Sequence, residues 1–245
     1  MRNPVHKPAL FLALCALILA GGCAGEEDAP EAADTQPTPA IRIVFFGDSI
    51  TEAGVFPGGY VTLVSEALTE QYPGGTVEVI GAGISGHKVP DLQERLDRDV
   101  LVHDPTHVVI YIGINDVWHF YEFDHVTGTE REVFEEGLHD LISTMQRAGV
   151  HVSLCTPSVI GEDPASDTEV NQALMEYADI SRAVAEASGA TLCDLRAAFE
   201  DHLAAHNPDK HYEGVLTTDG VHLNEEGNRF VADLMLQHLE RLLEQ

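Results

Sequence analysis

The chain has 245 residues, 44% of them hydrophobic, enough to bury a sizeable core. Its 13 Lys+Arg against 41 Asp+Glu give a formal charge of −28, which repels phosphate backbones and excludes a nucleic-acid partner. Ordered apolar runs exclude global disorder, 21 Gly excludes a collagenous chain, and a single long apolar run excludes a polytopic membrane protein. A soluble α/β protein is left.

The N-terminus reads MRNPVHKPALFLALCALILAGGC: Arg2 and Lys7, an apolar run from Ala9 to Ala20, then small residues before Cys23. That run falls short of the roughly 20 residues a spanning helix needs, and its layout is that of a secretory signal. Its Leu19-Ala20-Gly21-Gly22-Cys23 ending resembles a bacterial lipobox, so residues 1–22 are expected to be a lipoprotein signal peptide and Cys23 the lipidation site. An Asp after the Cys is the usual signal for inner-membrane retention; here it is Ala24, so a membrane-anchored lipoprotein of the outer membrane or cell surface is expected. Residues 23–40 hold no large apolar side chain and are rich in Pro, Ala and acids, as suits an extended tether. Cys155 and Cys193, the two cysteines left in the exported domain at 41–245, lie in apolar runs and fit a disulfide or two buried thiols equally.

From residue 41 short β-branched runs alternate with amphipathic stretches. Strands are predicted at 41–46, 76–81, 108–112, 150–155 and 190–195. Helices are predicted at 60–71, within 90–103, and near 131–147, 168–187 and 224–243, the last with apolar residues at Val231, Leu234, Met235, Leu239 and Leu242. Such alternation implies right-handed βαβ units and one three-layer α/β/α domain with a parallel sheet. Ligands then bind at the carboxyl ends of the strands.

Three segments fall at such positions, Gly47-Asp48-Ser49-Ile50-Thr51, Gly81-Ala82-Gly83-Ile84-Ser85-Gly86 and Gly113-Ile114-Asn115-Asp116, and a fourth, Asp219-Gly220-Val221-His222, comes just before the last helix. Each alone is a common turn. Together they hold what acyl transfer requires: a hydroxyl nucleophile, a base, a carboxylate to orient that base, and donors for an oxyanion. Ser49, His222 and Asp219 are the candidate catalytic residues; the backbone N–H groups of Ser49 and Gly86 and the side-chain amide of Asn115 are the candidate oxyanion hole.

This combination, in this order, resembles the SGNH/GDSL hydrolase superfamily, with Ser49, Gly86, Asn115 and His222 at its four marker positions and Ile50 where the name-giving motif has Leu. The resemblance covers about 41–240. It implies a flavodoxin-like five-stranded parallel sheet and a serine carboxylic ester hydrolase with no metal and no cofactor. Gly59-Tyr60-Val61, the Asp91-Leu92, Arg95, Asp99-Val100 series, Gly113 to Trp118 and Ala197-Ala198-Phe199 resemble the acetylxylan-esterase-type branch, which removes acetyl groups from sugar hydroxyls. His87-Lys88 departs from that branch's usual Asn-Thr or Asp-Thr.

Other readings are weaker. Gly81-x-Gly83-x-x-Gly86 matches a dinucleotide fingerprint formally, but the stretch through Pro90 delays the helix that should follow at once. His202 and His206, spaced i,i+4 on an expected helix, and the group His119, Glu122, Asp124 and His125, lack the Glu or Cys partners of common zinc motifs and read as solvated surface. Trp118 fits a pocket wall or a loop anchor. The loops at 53–59, 117–129 and 159–167 are aromatic and acidic (Phe56, Trp118, Phe120, Tyr121, Glu122, Asp124, Glu162, Asp163), an expected rim for a neutral small-molecule or oligosaccharide ester. The alternatives are a lysophospholipase or thioesterase for longer acyl chains and, more remotely, a glycan-binding lipoprotein without catalysis.

Overall fold

The computed structural model describes residues 40–122 and 127–243. The signal segment, Cys23 and the tether up to residue 39 lie outside the described residues.

Five strands form one parallel sheet in the order β2-β1-β3-β4-β5: β1 (Ile41–Gly47), β2 (Val77–Gly83), β3 (His107–Tyr111), β4 (His151–Cys155) and β5 (Thr191–Cys193). Strand β1, flanked by β2 and β3, reads IRIVFFG and is buried from Ile43 onward, as expected when helices cover both faces of a parallel sheet. On one face α2 (Tyr60–Gln71) packs against α8 (Glu225–Leu243); on the other α3 (Val89–Asp99), α5 (Arg131–Arg147) and α6 (Glu169–Ser188) lie in a row. Helical spacing brings Val61, Val64 and Leu68 of α2, and Val231, Met235 and Leu239 of α8, into the core. Helix α7 (Leu195–His206) joins α8 through Phe199, whose ring meets Phe230 edge-on at 5.4 Å.

Several boundaries differ from the sequence expectation. Two short helices, α1 (Ser49–Gly54) and α4 (Ile114–Trp118), follow β1 and β3 where turns were read; five or six residues are too few to show a periodicity. Helix α7 was legible only through its His pair. Strand β2 runs on to Gly83, so Gly81 and Gly83 are strand residues: a Cβ at Gly83 would lie 2.0 Å from the Glu52 amide nitrogen of α1, and only glycine admits that crossing. β5 has three residues rather than six.

Cys155 and Cys193 face each other in register across β4 and β5, both buried and both free thiols. Burial, reinforced by the neighbouring Cys193, pushes the Cys155 thiol well above its ordinary pKa.

Candidate active site

The order β2-β1-β3 reverses the direction of chain progression between β1 and β3, which opens a crevice at their carboxyl ends. Ser49 follows β1 and Asn115 follows β3, so both border it. Asp48 caps α1 by accepting the Ile50 N–H at 3.0 Å, which leaves Ser49 as the first helical residue. The Ser49 Oγ lies 2.9 Å from His222 Nε2, and His222 Nδ1 lies 2.7 Å from Asp219 Oδ2. Asp219 Oδ1 also accepts the N–H groups of Val221 (3.0 Å) and His222 (2.8 Å), so one carboxylate shapes the loop and orients the ring. With Nδ1 donating to Asp219, the Nε2 lone pair faces the serine hydroxyl. The structure thus brings the three residues named as candidates within hydrogen-bonding distance, Ser49 to His222 and His222 to Asp219.

The Gly86 backbone has φ +77°, a left-handed conformation open to glycine, and nothing lies within 4 Å of where a Cβ would stand. Backbone conformation, rather than the space a Cβ would occupy, therefore calls for glycine here. Glu52 of α1 holds the preceding residue, accepting from both the Ser85 N–H (2.9 Å) and the Ser85 hydroxyl. Buried Asn115 donates from Nδ2 to the His87 carbonyl at 3.0 Å, which keeps its amide beside the Gly86 turn.

Arg95, 2% exposed, ties these pieces from below. Its guanidinium stacks on Phe46 at 4.5 Å and donates to the Gly47 carbonyl (2.6 Å), the Ala82 carbonyl (2.9 Å), His87 Nδ1 (3.1 Å) and Asp99 (3.2 Å). The strand ends that carry the Ser49 and Gly86 segments are thus clamped by one side chain. Lys88, the other half of the departure after Gly86, donates to the Thr127 carbonyl at 2.8 Å.

Burial dominates the electrostatics beneath the serine. The Asp48 carboxyl is pushed up to about 7 by burial and by nearby Asp116, against the opposing Ile50 amide and His222. Burial likewise raises Asp116 to about 6, while Thr129 and the Val89 amide pull it down. For Asp219, burial acts upward, but its hydrogen bonds from His222 and Val221 outweigh it and hold the carboxyl below its ordinary value.

Around the mouth, Trp118 stands edge-on to His222 with ring centroids 6.3 Å apart, and Phe56, Phe120 and Tyr121 are exposed. Tyr212, which sequence reading passed over, rests its ring against Gly161 and Gly220 and stays half exposed next to Asp219. Its only sequence signal is an aromatic residue in a Gly-rich loop. Glu162 is a correction: expected on the rim, it is 1% exposed and turned inward. Asp124 and His125 lie outside the described residues. His202 and His206 stack on each other at 4.2 Å, and among the described residues no group of three or more His, Cys, Asp or Glu converges as a metal site. A cavity of about 670 Å³ lined by Asp163, Met175, Leu203 and Lys210 includes none of Ser49, Gly86, Asn115 or His222; the hydroxyl opens instead onto the cleft described above.

The model of the GDSL-like lipase/acylhydrolase family matches residues 45–230. The chain belongs to this family. As a GDSL-like acylhydrolase it is a carboxylic ester hydrolase, and an acetylxylan esterase of Geobacillus stearothermophilus is 30% identical to it over 216 residues, 81% of this chain and 93% of that protein. The crystal structure of an acetyl xylan esterase, AlAXEase, is 43% identical with a TM-score of 0.77, covering 81% of this chain and 99% of that one. An isoamyl acetate-hydrolyzing esterase 1 homolog of Rattus norvegicus is 26% identical over 78% of each chain. The α/β sheet and the acetylxylan-esterase branch expected of this acylhydrolase are thus both met.

Proposed function

We propose that this acylhydrolase removes O-acetyl groups from carbohydrates through an acyl-enzyme on Ser49. The observation that carries the chemistry is the relay from Ser49 Oγ to His222 Nε2 at 2.9 Å and from His222 Nδ1 to Asp219 at 2.7 Å, set at the end of β1. Ser49 attacks the ester carbonyl as His222 takes its proton, and Asp219 stabilises the imidazolium. Donors from the Ser49 and Gly86 N–H groups and from Asn115 face the oxygen that becomes an oxyanion. Collapse expels the sugar hydroxyl, which takes the proton from His222. Water, giving a proton to His222, then attacks the acetyl-serine; the bond to Ser49 Oγ breaks, His222 returns the proton to that oxygen, and acetate departs.

The acyl preference draws on the relatives. Their names share an acetate ester while the alcohol differs, a xylan in one and isoamyl alcohol in the other. Exposed Phe56, Phe120, Tyr121 and half-exposed Tyr212 offer faces on which a sugar ring stacks. The acidic surface disfavours anionic phospholipid head groups and acyl-coenzyme A. An acyl-length series with one leaving group tests this: kcat/KM should peak at two carbons and fall by eight. A maximum at eight carbons or more would support the lysophospholipase or thioesterase reading instead. Anchoring belongs to the same proposal: lipid on Cys23, supported by the signal pattern of residues 1–22 and by Ala24, would hold the enzyme at the outer membrane or cell surface, with residues 24–40 as its tether.

A further inference from the structure

We propose that Glu162 is a positioning residue that locks the loop carrying Asp219 and His222 in its reactive shape; this rests on the Ser49–His222–Asp219 reading above. Glu162 follows β4, far in sequence from that loop. Its Oε2 accepts the Val215 N–H (2.8 Å), and its Oε1 accepts the N–H groups of Leu216 (2.6 Å) and Thr217 (2.6 Å) and the Thr217 hydroxyl (2.9 Å). Among the described residues no Lys, Arg or His pairs with it. A buried carboxylate without a cation is costly unless hydrogen bonds compensate it, and here three consecutive backbone amides do so.

Those bonds reach the site in two steps. Thr217, fully buried, donates its hydroxyl to Glu162 and accepts the Gly220 N–H on the same oxygen at 3.1 Å. Gly220 adjoins Asp219, and its carbonyl accepts the Gly161 N–H at 2.8 Å. The two loops are therefore joined at Glu162 and at the adjacent Gly161. The Glu162 side is itself anchored: Arg196, 1% exposed, donates to the Ser158 carbonyl (3.1 Å), the Pro164 carbonyl (3.3 Å) and Asn171 Oδ1 (2.5 Å). Nothing in the Asp219–His222 motif alone would fix its distance from Ser49, which lies on another strand end. The Glu162 clasp supplies that fixed distance.

Glu162→Gln keeps the shape but turns an amide N–H toward the Val215 N–H, opposing donor to donor. On a small acetate ester, with folding checked by circular dichroism, kcat should fall about 10²-fold, the scale of an ångström-sized misplacement, while KM changes little. Because this variant could fail to fold, Thr217→Val and Thr217→Ser form a second pair. Valine removes both bonds of the Thr217 hydroxyl, the one given to Glu162 and the one taken from Gly220, and should lower kcat about tenfold; serine keeps the hydroxyl and should restore it. Wild-type kcat in a folded Glu162→Gln, or equal losses in both Thr217 variants, would overturn the proposal. Ser49→Ala, run alongside, separates the two readings: if it stays active the triad reading fails, and if it is inactive while Glu162→Gln is not, only the clasp fails.

Discussion

Asn115 is fixed before any ester arrives, because one of its amide hydrogens is bonded to the His87 carbonyl. The other remains for an oxyanion, so the group stabilises developing charge without reorganising. Asn115→Ala should lower kcat by about 10²–10³ with KM nearly unchanged in steady-state kinetics; a loss confined to KM would make Asn115 a binding residue. Asp48 carries a different prediction. Its carboxyl titrates near 7 in the fold and near 3.8 when unfolded, so between these values the folded protein holds a proton that the unfolded chain has lost. Stability contributed by this group is full below about 4 and is lost as pH rises to about 7. Asn keeps a cap at this position without ionising, so the thermal midpoint of Asp48→Asn should gain on wild type across that window and hold a constant lead above it. A pH-independent gap would contradict the buried-carboxyl account. Ser49, Gly86, Asn115, Asp219 and His222 were legible because each sits in a short motif near a strand end or before the last helix. The positioning roles of Arg95 and Glu162 were not, because each depends on neighbours that only the tertiary fold supplies: Arg95 sits on an otherwise apolar helix face, and Glu162 looks like any surface acid until residues 215–217 are seen around it.

At the scale of elements, the site depends on α1 lying across the end of β2. Gly81 meets the Val55 side chain there and Gly83 meets the Glu52 backbone, so the strand end is a flat bed for the helix whose first residue is Ser49. Gly83→Ala forces a methyl group into backbone and should cost about 1–3 kcal/mol, lowering the thermal midpoint by several degrees. Activity should fall with it, since displacing α1 moves both Ser49 and the Glu52 carboxylate that holds Ser85. An unchanged midpoint in calorimetry would mean that the crossing is looser than the geometry indicates. Helices α2, α3, α5, α6 and α8 were readable from periodicity because their buried faces repeat over about three turns or more, whereas α1 and α4 are too short to repeat. Their boundaries are set by the strand ends they sit on.

For the whole molecule, alternation of strands and helices was enough to anticipate a parallel sheet, and the observed order puts the reversal between β1 and β3, the two strands followed by Ser49 and Asn115. The charge of −28 and the N-terminal segment bear on where such an enzyme works. Cys23→Ala, expressed in a bacterium and fractionated, should shift the protein from membranes to the soluble fraction; an unchanged distribution would refute the lipid anchor. The most direct test of the account is release of acetic acid from an acetylated xylo-oligosaccharide by wild type and Ser49→Ala. Wild type should release acetate until the accessible esters are consumed, and Ser49→Ala should be slower by at least about 10³-fold. Equal release by both, or a wild type that cleaves a small acetate ester but leaves the oligosaccharide intact, would contradict it.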